Sequence, residues 1–304
     1  MHDVAAVIVA HNAERELATC IDALRARASG CRLGIVVVDS GSTDASLSTA
    51  RDLGVRTIAA PNIGYGAANN LGWRAANGAR YLLILNPDAK LVGGSLREFV
   101  ADADTRPRAG VFAPRVVSAA GEPVRSIAPF ERTWQQFVDR LKARPMTCRY
   151  EPVLDTRSFG WATGCALLIR AECFDAVGGF DERFFLYAEE RDLLRATQQA
   201  GWLHQTYPEL TVCHETAGRP PDARLFAQRF RADLYYARKW GGIAALLGTR
   251  GVLATELLRR LILGQRDEWT GCYLAALQAV LTESVPANSD RAREIQRGRT
   301  VGSG

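Results

Sequence analysis

Hydrophobic residues in the first half of the chain follow two alternating patterns. Short unbroken apolar runs are typical of parallel strands that are buried on both faces of a sheet. Segments with apolar residues every three or four positions predict amphipathic helices, and in the first of them Leu17, Cys20, Ile21 and Leu24 share one face. The predicted strands are residues 4–10, 33–40, 55–60 and 79–89, and the predicted helices between them are residues 14–27, 43–54 and 64–78.

Strand and helix patterns that alternate at this spacing predict an α/β fold with a doubly wound, mostly parallel central sheet. Ligands of such sheets bind beyond the carboxyl ends of the strands. A single polar residue at a strand end is more often a helix cap or a turn former. Here four groups follow four successive strands, which favours a shared ligand site. The groups are His11, Asn12 and Glu14; Asp39, Ser40, Gly41 and Asp44; Asn62, Gly64 and Tyr65; and Asn86 and Asp88.

The composition is that of an ordinary soluble globular protein, with 47% apolar and 23% charged residues among 304. The net charge of +5 is compatible with anionic ligands or an anionic membrane surface. The seven cysteines include no Cys-x-x-Cys pair, so we interpret them as reduced thiols of a cytoplasmic protein. The chain begins with no secretory-leader pattern and has no run of 18 apolar residues, so we expect no membrane span.

The residue types at the strand ends suit a nucleoside diphosphate together with a divalent cation. Asp39 can accept a hydrogen bond from a base N–H, such as the imide of uracil or thymine. The glycines in GYGAANN (64–70) allow a close backbone approach, and the helix that they open directs amide N–H groups at a ligand. Asp88 offers a carboxylate oxygen of the kind that binds Mg²⁺ or Mn²⁺. The glycine spacing matches neither the Walker A motif nor the dinucleotide fingerprint.

A second acidic group lies in YAEERDLLRA (187–196), where Glu189, Glu190 and Asp192 place three carboxylates within four residues. On an exposed helix they would form a solvated face. The aromatic and apolar residues around them instead indicate a buried surround, which favours a general base. His214 ends a short predicted strand, and a lone histidine there is more often a satisfied polar residue than a ligand.

Six motifs, in order along residues 4–240, resemble those of glycosyltransferase family 2, and most closely those of its rhamnosyltransferase-like branch. They are VIVAHNAERELATCIDAL, IVVVDSGSTDAS, NIGYGAANNLGWRAA, YLLILNPDA, GWATGCALLIRAECFDAVGGFDERFFLYAEERDLLRA and VCHETAGR. The resemblance implies a GT-A nucleotide-diphospho-sugar transferase fold, which is Rossmann-like with a mostly parallel central sheet. It also implies an inverting sugar transfer that depends on a divalent metal, Mn²⁺ or Mg²⁺. The donor that it suggests first is dTDP-rhamnose, with other dTDP-, UDP- or GDP-sugars open.

The same resemblance assigns the donor site. NPD (86–88) matches the family's Asp-x-Asp motif with asparagine in place of the first acid, which leaves Asp88 as the principal carboxylate metal ligand. His214 is expected to complete the metal shell or to contact the diphosphate. Asn69 stands where many members carry an arginine, so a diphosphate contact from it stays open. The expected nucleotide-sugar residues are Ala10, His11, Asn12, Glu14, Asp39, Ser40, Gly41, Asn62, Gly64, Tyr65, Asn69, Asn70, Asn86, Pro87 and Asp88.

The resemblance also assigns catalysis and the acceptor. Glu190 stands at the position of the family's base and is one methylene longer than the usual aspartate. Asp192 is expected to orient a helix or the acceptor, and Glu189 belongs to the same catalytic group. The acceptor-side wall is expected to contain Trp161, Thr163 and Gly164, where the indole either stacks on a sugar or fills the core. The acceptor is expected to be a hydroxyl, on a lipid-linked cell-surface glycan or on a small molecule.

The second half predicts a helical extension. We expect a catalytic domain at 1–220, divided into a nucleotide-sugar half (1–115) and an acceptor half (116–220), then helices over 221–283 and a disordered tail at 284–304. Helices at 224–242 and 243–264 mix basic, aromatic and apolar residues. They either lie on an anionic membrane or pack on the catalytic domain with a solvated basic face. We expect a cytoplasmic protein, peripheral at the inner membrane face in the first case; a homodimer stays open, and no nucleic-acid partner is expected.

Three alternatives to a transferase acting on a lipid-linked glycan stay open. A sugar nucleotidyltransferase shares a similar sheet but usually has a glycine-rich basic loop after its first strand, which AHNAERE lacks. A glycosyltransferase that tailors a soluble metabolite would have the same donor site. A non-catalytic nucleotide-binding protein would tolerate the loss of the carboxylates at 88 and 190, and both are present.

Overall fold

The computed structural model describes residues 1–76, 78–124, 126–128, 159–214 and 223–264, together with residues 271, 273, 274 and 277. The predicted tail at 284–304 lies outside the described residues. The strands are β1 (His2–Ala10), β2 (Leu33–Ser40), β3 (Arg56–Ala60), β4 (Ala79–Leu85), β5 (Ala89–Gly93), β6 (Ala109–Val117), β7 (Ile127–Ala128), β8 (Trp161–Ala162), β9 (Ala166–Arg170) and β10 (Leu203–His214). The helices are α1 (Glu14–Ala26), α2 (Ser46–Asp52), α3 (Tyr65–Ala75), α4 (Leu96–Asp104), α5 (Ala171–Ala176), α6 (Glu189–Gln199) and α7 (Ala223–Ile262).

The central sheet has eight strands in the order β3-β2-β1-β4-β9-β6-β10-β5. The first four are parallel to one another, and β6 and β10 run in the same direction. Strands β9 and β5 run antiparallel to their neighbours. The carboxyl ends of β1, β2, β3, β4, β6 and β10 therefore meet at one edge of the sheet, as the strand and helix pattern predicts.

Both faces of the sheet are buried, which explains the unbroken apolar runs. Alternate residues of β1 point to opposite faces because side chains alternate along a strand. Ile8 packs in the core cluster that contains α1 and α4. Val7 packs in the cluster on the other face, with residues of α3, α5 and α6. The predicted stripe of α1, which consists of Leu17, Cys20, Ile21 and Leu24, is wholly buried.

The predicted element boundaries differ from the structure by a few residues. The helix predicted over 43–54 begins at Ser46 and ends at Asp52, because residues before it form hydrogen-bonded loop contacts. The fourth strand ends at Leu85, so the NPD segment forms a turn instead of strand. The five cysteines of the described residues are free thiols, in agreement with the interpretation as reduced cysteines.

The chain divides into two compact units. The first consists of Met1–Phe130, Tyr150–Asp181 and Glu190–Ala217, and it contains the central sheet. The second consists of Glu131–Arg149, Glu182–Glu189 and Gly218–Gly304. Its main described element is α7, which merges the two predicted helices across a kink at Gly242, where φ is 66°.

The expectation that no segment spans a membrane stays a prediction for the second unit. Among the described residues, α7 is long and apolar enough by length and composition to cross a membrane. The most apolar window has a mean hydropathy of 1.2 and is 17% buried. No run of 18 consecutive apolar residues occurs there because single arginines and glycines interrupt the sequence, but the apolar residues around them keep the mean hydropathy of the window at 1.2. Length and composition alone do not distinguish a span from a helix that lies on a surface.

Candidate functional site

Asp39 is the last but one residue of β2 and is 4% exposed. Its Oδ2 accepts a hydrogen bond from the Ser42 N–H at 3.3 Å. Its Oδ1 is buried and has no hydrogen-bond partner among the described residues. A buried carboxylate oxygen without a donor is costly, so this atom suits a ligand that brings its own N–H group.

The turn after β1 is tied to the turn after β2. Nδ1 of His11 lies 2.8 Å from the carbonyl oxygen of Ser40. Asn12 has a φ of 53°, and its Oδ1 accepts the Thr43 N–H at 2.8 Å. His11 and Asn12 are exposed, beside Ala10 at the buried strand end. These contacts hold the two turns together as one rim of the sheet edge, where the sequence predicts the nucleoside.

Glu14 supports this rim from the surface of the protein. Its Oε2 accepts the Ala45 N–H at 2.9 Å, and its own N–H donates to Asp44 at 3.1 Å. Sequence reasoning missed Ser46, which is fully buried and accepts the Ala13 N–H at 2.7 Å. No signal in the sequence separates Ser46 from the other small residues of DSGSTDAS. Glu14 is thus engaged in a loop contact, and its predicted contact to the nucleotide sugar stays a prediction.

The turn after β3 leads into α3 through glycine. Gly41 has a φ of 70°, and a Cβ there would lie 3.0 Å from the backbone nitrogen of Asn62. The Oδ1 of Asn62 accepts the Gly64 N–H at 3.3 Å and lies 3.4 Å from the hydroxyl oxygen of Ser40. Gly64 precedes the first turn of α3 with a φ of 92°. The described contacts therefore place the N-terminus of α3 beside the predicted nucleoside site.

Tyr65 joins the turn after β4 to the loop before β9. Its hydroxyl group donates to Oδ1 of Asn86 at 2.8 Å and lies 3.0 Å from the carbonyl oxygen of Gly164. The Asn86 N–H donates to the carbonyl oxygen of Cys165 at 2.8 Å, which adds a second link between the same two segments. The structure thus brings together the predicted donor segment 86–88 and the predicted acceptor-side segment 161–164.

Asp88 and His214 come together because β5 and β10 pair antiparallel, with His214 opposite Ala89. Oδ2 of Asp88 lies 3.3 Å from Nε2 of His214, and both side chains are mostly buried. A carboxylate oxygen and an imidazole nitrogen at this separation can share one cation, and this donor set suits Mn²⁺. The described residues contain no group of three or more potential ligands. Such a cation would therefore need phosphate oxygens and water as further ligands, as is usual for diphosphate sites.

Two cysteines lie close to Asp88, and neither is a reactive thiolate. Burial raises the pKa of Cys165 to about 12, and the negative charge of Asp88 adds to this effect. The same two causes raise the pKa of Cys20 to about 12. A protonated thiol is a poor nucleophile and a poor metal ligand. Among the described residues, Asp88 and His214 are therefore the pair that we assign to a cation at this turn.

Glu190 lies at the start of α6, within the first unit. Its Oε1 accepts the indole N–H of Trp161 at 3.2 Å. A Cβ placed on Gly164 would lie 3.5 Å from the Cβ of Glu190 and 3.9 Å from Cε1 of Tyr65. Thr163 is fixed by its N–H, which donates to the carbonyl oxygen of Ser126 at 2.8 Å. The predicted acceptor wall and the predicted base therefore adjoin Tyr65.

The two other carboxylates of the motif are buried. Asp192 is 2% exposed in the first unit, and Glu189 is 4% exposed and belongs to the second unit. Glu190 is the partly exposed member of the three. A general base must be accessible to a substrate that arrives from solvent. The difference in exposure therefore favours Glu190 for proton transfer and the two buried acids for contacts inside the protein.

The two asparagines of α3 have different environments. Asn70 donates to the carbonyl oxygen of Phe180 and accepts its N–H, both at 2.9 Å. The buried carboxamide thus holds the backbone of Phe180, and its predicted contact to the nucleotide sugar stays a prediction. Asn69 is fully buried and donates to the carbonyl oxygen of Tyr65 at 3.0 Å, while its Oδ1 has no hydrogen-bond partner among the described residues.

Two sequence comparisons show what this chain is similar to. The sequence profile described as Glycosyl transferase family 2 matches residues 5–170. The N-acetylglucosaminyl-diphospho-decaprenol L-rhamnosyltransferase of Mycobacterium tuberculosis is 30% identical to this chain over 240 residues, which cover 69% of this chain and 76% of the relative.

Solved structures share the fold. The mannosyltransferase PcManGT from Pyrobaculum calidifontis, in complex with GDP-Man and Mn²⁺, has a TM-score of 0.53 and 16% identity, and covers 92% of this chain and 86% of its own. TarS of S. aureus has a TM-score of 0.53 and 14% identity. This chain spans 43% of one TarS chain and 81% of a shorter one. These likenesses confirm the predicted fold class.

Proposed function

Since the chain belongs to glycosyl transferase family 2, we propose that it moves a sugar from a nucleotide-diphosphate donor to an acceptor hydroxyl, with inversion at the anomeric carbon. The observation that carries this proposal is the convergence of three different groups at one sheet edge. They are the unsatisfied oxygen of Asp39, the adjacent pair of Asp88 and His214, and the partly exposed carboxylate of Glu190. A binding protein without catalysis would not need the third group.

The nucleoside occupies the rim formed by the turns after β1, β2 and β3. Oδ1 of Asp39 accepts the N–H of a pyrimidine imide, which satisfies the atom that the protein leaves without a donor. His11 and Asn12 are exposed on the same rim, where they can contact the base or the ribose. Asp39 thereby favours bases whose ring nitrogen carries a hydrogen, as in uracil, thymine and guanine, over adenine and cytosine, whose corresponding ring nitrogen is an acceptor.

The diphosphate lies between the start of α3 and the turn at 86–88. Asp88 and His214 would hold a divalent cation there, and that cation would supply charge neutralisation for the leaving diphosphate. Asn86 is fixed by the hydroxyl of Tyr65, so its carboxamide supports the turn and adds no negative charge. The N–H groups at the N-terminus of α3 add partial positive charge near the phosphates.

Glu190 is the general base. Its carboxylate removes the proton from the acceptor hydroxyl, and the oxygen attacks the anomeric carbon from the face opposite the diphosphate. The bond to the diphosphate oxygen breaks as the new bond forms, so one displacement inverts the configuration and needs no covalent enzyme intermediate. The indole N–H of Trp161 holds Oε1 of Glu190, which leaves the second carboxylate oxygen for the acceptor. The ring itself offers a face for stacking on a sugar.

The donor that we propose first is dTDP-rhamnose, and the acceptor class is a hydroxyl of a lipid-linked glycan. The support is the likeness to the mycobacterial relative, whose name gives rhamnose as the sugar and a diphospho-decaprenol as the carrier. The relative matches over 69% of this chain, and the family profile matches residues 5–170. In this proposal the protein works in the cytoplasm, at the inner face of the membrane.

Differential scanning fluorimetry with a panel of nucleotide sugars tests the donor. With Mn²⁺ present, dTDP-rhamnose should raise the melting temperature more than UDP-, GDP- and ADP-sugars do, because only a bound ligand stabilises the folded state. Asp39→Asn should remove most of the preference over ADP-sugars, since an amide can present its N–H where the carboxylate accepts. Equal shifts with every nucleotide would refute the base assignment, and no shift with any nucleotide sugar would refute the proposed activity.

A further inference from the structure

The second half of α7 is apolar on two faces, and only one of them is packed. Leu246, Leu253 and Leu257 face a core cluster of the second unit, together with Phe226 and Phe230 of the first half of the helix. A helix that packs one face in a soluble protein normally has polar residues over its exposed surface. In this helix an exposed apolar stripe runs beside the packed face.

The second face is exposed. Ile243 is 74% exposed, Leu247 and Leu258 are 58% exposed, and Leu261 is 54% exposed. These residues, with the exposed Ala254 between them, are spaced by four, seven, four and three positions, which places them on one side of a helix. Ile262 and Leu263 continue the exposed apolar surface at the end of the helix. Isolated exposed apolar residues are common, but a continuous stripe marks an interaction surface.

The charges of α7 favour an anionic partner. Residues 223–262 contain eight lysine and arginine residues against Asp233 and Glu256, and five of the eight precede the kink at Gly242. Arg238 and Lys239 are exposed and lie just before this kink, which separates them from the stripe. Nζ of Lys239 lies 5.3 Å from the ring centre of Trp240, whose ring is 6.5 Å from that of Tyr236. Tryptophan, tyrosine and lysine next to an apolar stripe are typical of the water boundary of a bilayer.

We propose that this stripe, residues 243–263 on the exposed side of α7, docks on the surface of an anionic phospholipid membrane. The helix lies in the plane of the membrane instead of crossing it. Two features argue against a crossing helix. The segment contains four charged residues, namely Arg250, Glu256, Arg259 and Arg260. Its other face already packs against the core cluster of the second unit. The inference rests on the proposed function, because a lipid-linked acceptor has its glycan at such a surface.

Vesicle co-sedimentation tests the surface with the full chain. Wild-type protein should pellet with vesicles of phosphatidylcholine containing phosphatidylglycerol and stay mainly in solution with phosphatidylcholine alone. Raising the salt concentration should weaken the binding, because the attraction of arginine and lysine to anionic lipid is screened. The double variant Leu247→Glu/Leu258→Glu should bind at least about tenfold more weakly, since two buried apolar contacts are lost and two negative charges added.

Val92→Glu is the matched control, because Val92 is an equally apolar residue, 45% exposed, on the edge strand β5. It should bind like the wild type. Binding of the double variant at wild-type strength would overturn the proposal. A stripe that joins two copies of the chain would also overturn it. In that case the wild type would be a dimer that binds no vesicles, and the double variant would be a monomer. Resistance of the wild type to extraction by alkaline carbonate would show a spanning helix and overturn the in-plane arrangement.

Two readouts separate this proposal from the proposed function. If the wild type transfers sugar to a water-soluble acceptor analogue but binds no vesicles, the docking surface is wrong and the transferase stands. If it binds vesicles but consumes no nucleotide sugar, the transferase is wrong. Should the double variant fail to fold by circular dichroism, the dependence of wild-type binding on phosphatidylglycerol and salt decides the question.

Discussion

The indole N–H of Trp161 donates a hydrogen bond of 3.2 Å to Oε1 of Glu190. The two residues come from the short strand β8 and from the start of α6, and Gly164 packs against the Glu190 side chain between them. A hydrogen bond to one oxygen fixes the carboxylate and orients the other oxygen. This geometry is the reason to choose Glu190 as the base among three neighbouring acids.

Glu190→Gln should lower kcat by about 10²–10⁴-fold, because the amide cannot take the acceptor proton. The donor dissociation constant should stay within about twofold of the wild-type value, since the base acts only in the transition state. Steady-state kinetics and isothermal titration calorimetry with the donor measure the two quantities. Glu209→Gln is the control, because Glu209 is an exposed glutamate of the same unit. A Glu190→Gln variant with wild-type turnover would reject the assignment.

Tyr65→Phe should lower kcat at least about tenfold while the fold is kept, because the variant loses the single hydroxyl that donates to Asn86 and lies beside the Gly164 carbonyl oxygen, a hydrogen bond of about 1 kcal/mol. The link between the turn at residues 86–88 and the predicted acceptor-side segment at residues 161–164 is then broken. The apparent Mn²⁺ affinity should weaken as well, which a purely structural loss of stability would not produce. Tyr81→Phe removes a comparable hydroxyl, bonded to Asp104 at 2.9 Å, and should leave both readouts unchanged.

Gly72→Ala should destabilise the first unit by about 1–3 kcal/mol through overpacking. A Cβ at Gly72 would collide with Cγ1 of Val7 and lie 3.1 Å from Cγ2 of Val38, so α3 would have to move away from the sheet. Chemical denaturation followed by tryptophan fluorescence measures the change. The control is Gly251→Ala in α7, where nothing lies within 4 Å of the new Cβ. That variant should be neutral or slightly stabilising; equal losses would contradict the packing argument.

His204 should make the first unit less stable in acid. Burial lowers the pKa of this histidine to about 4, from an ordinary value of 6.5. Between these values the unfolded chain takes up a proton that the folded protein does not. The free energy of unfolding should therefore fall as the pH drops from 6.5 to 4, by about 3 kcal/mol in total.

Urea denaturation at a series of pH values measures this slope. His204→Gln should flatten the slope between pH 6.5 and 4, even though it loses the contacts of the ring with Thr197 and with the carbonyl oxygen of Phe159. An unchanged slope in that variant would show that another group is responsible.

The local pattern of the sequence predicted the first half of the fold well. Continuous apolar runs identified β1, β2 and β4 because both faces of the sheet are covered. The spacing of Leu17, Cys20, Ile21 and Leu24 identified the buried face of α1. The pairing of strands that lie far apart in the sequence could not be predicted from these local patterns. The order β4-β9-β6-β10-β5 places Asp88 next to His214 through a contact between residues 126 positions apart.

Individual side-chain roles were the least predictable part of the site. Asn70 belongs to a glycine-rich segment that suggests ligand contact, yet it holds the backbone of Phe180, and only the tertiary structure shows this. Tyr65 was predicted as a contact to the nucleotide sugar, and the structure adds its link from Asn86 to Gly164. Hydrogen bonds between distant segments leave no periodic signal in a sequence.

Binding of Mn²⁺ in the presence of a nucleoside diphosphate tests the central claim most directly. Electron paramagnetic resonance measures free Mn²⁺ during a titration, with Asp52→Asn as the control because Asp52 is exposed at the end of α2. The account predicts that wild type and control bind the cation, that Asp88→Asn binds it at least about tenfold more weakly, and that chelation by EDTA stops sugar transfer. Wild-type Mn²⁺ binding and full transfer in Asp88→Asn would contradict it.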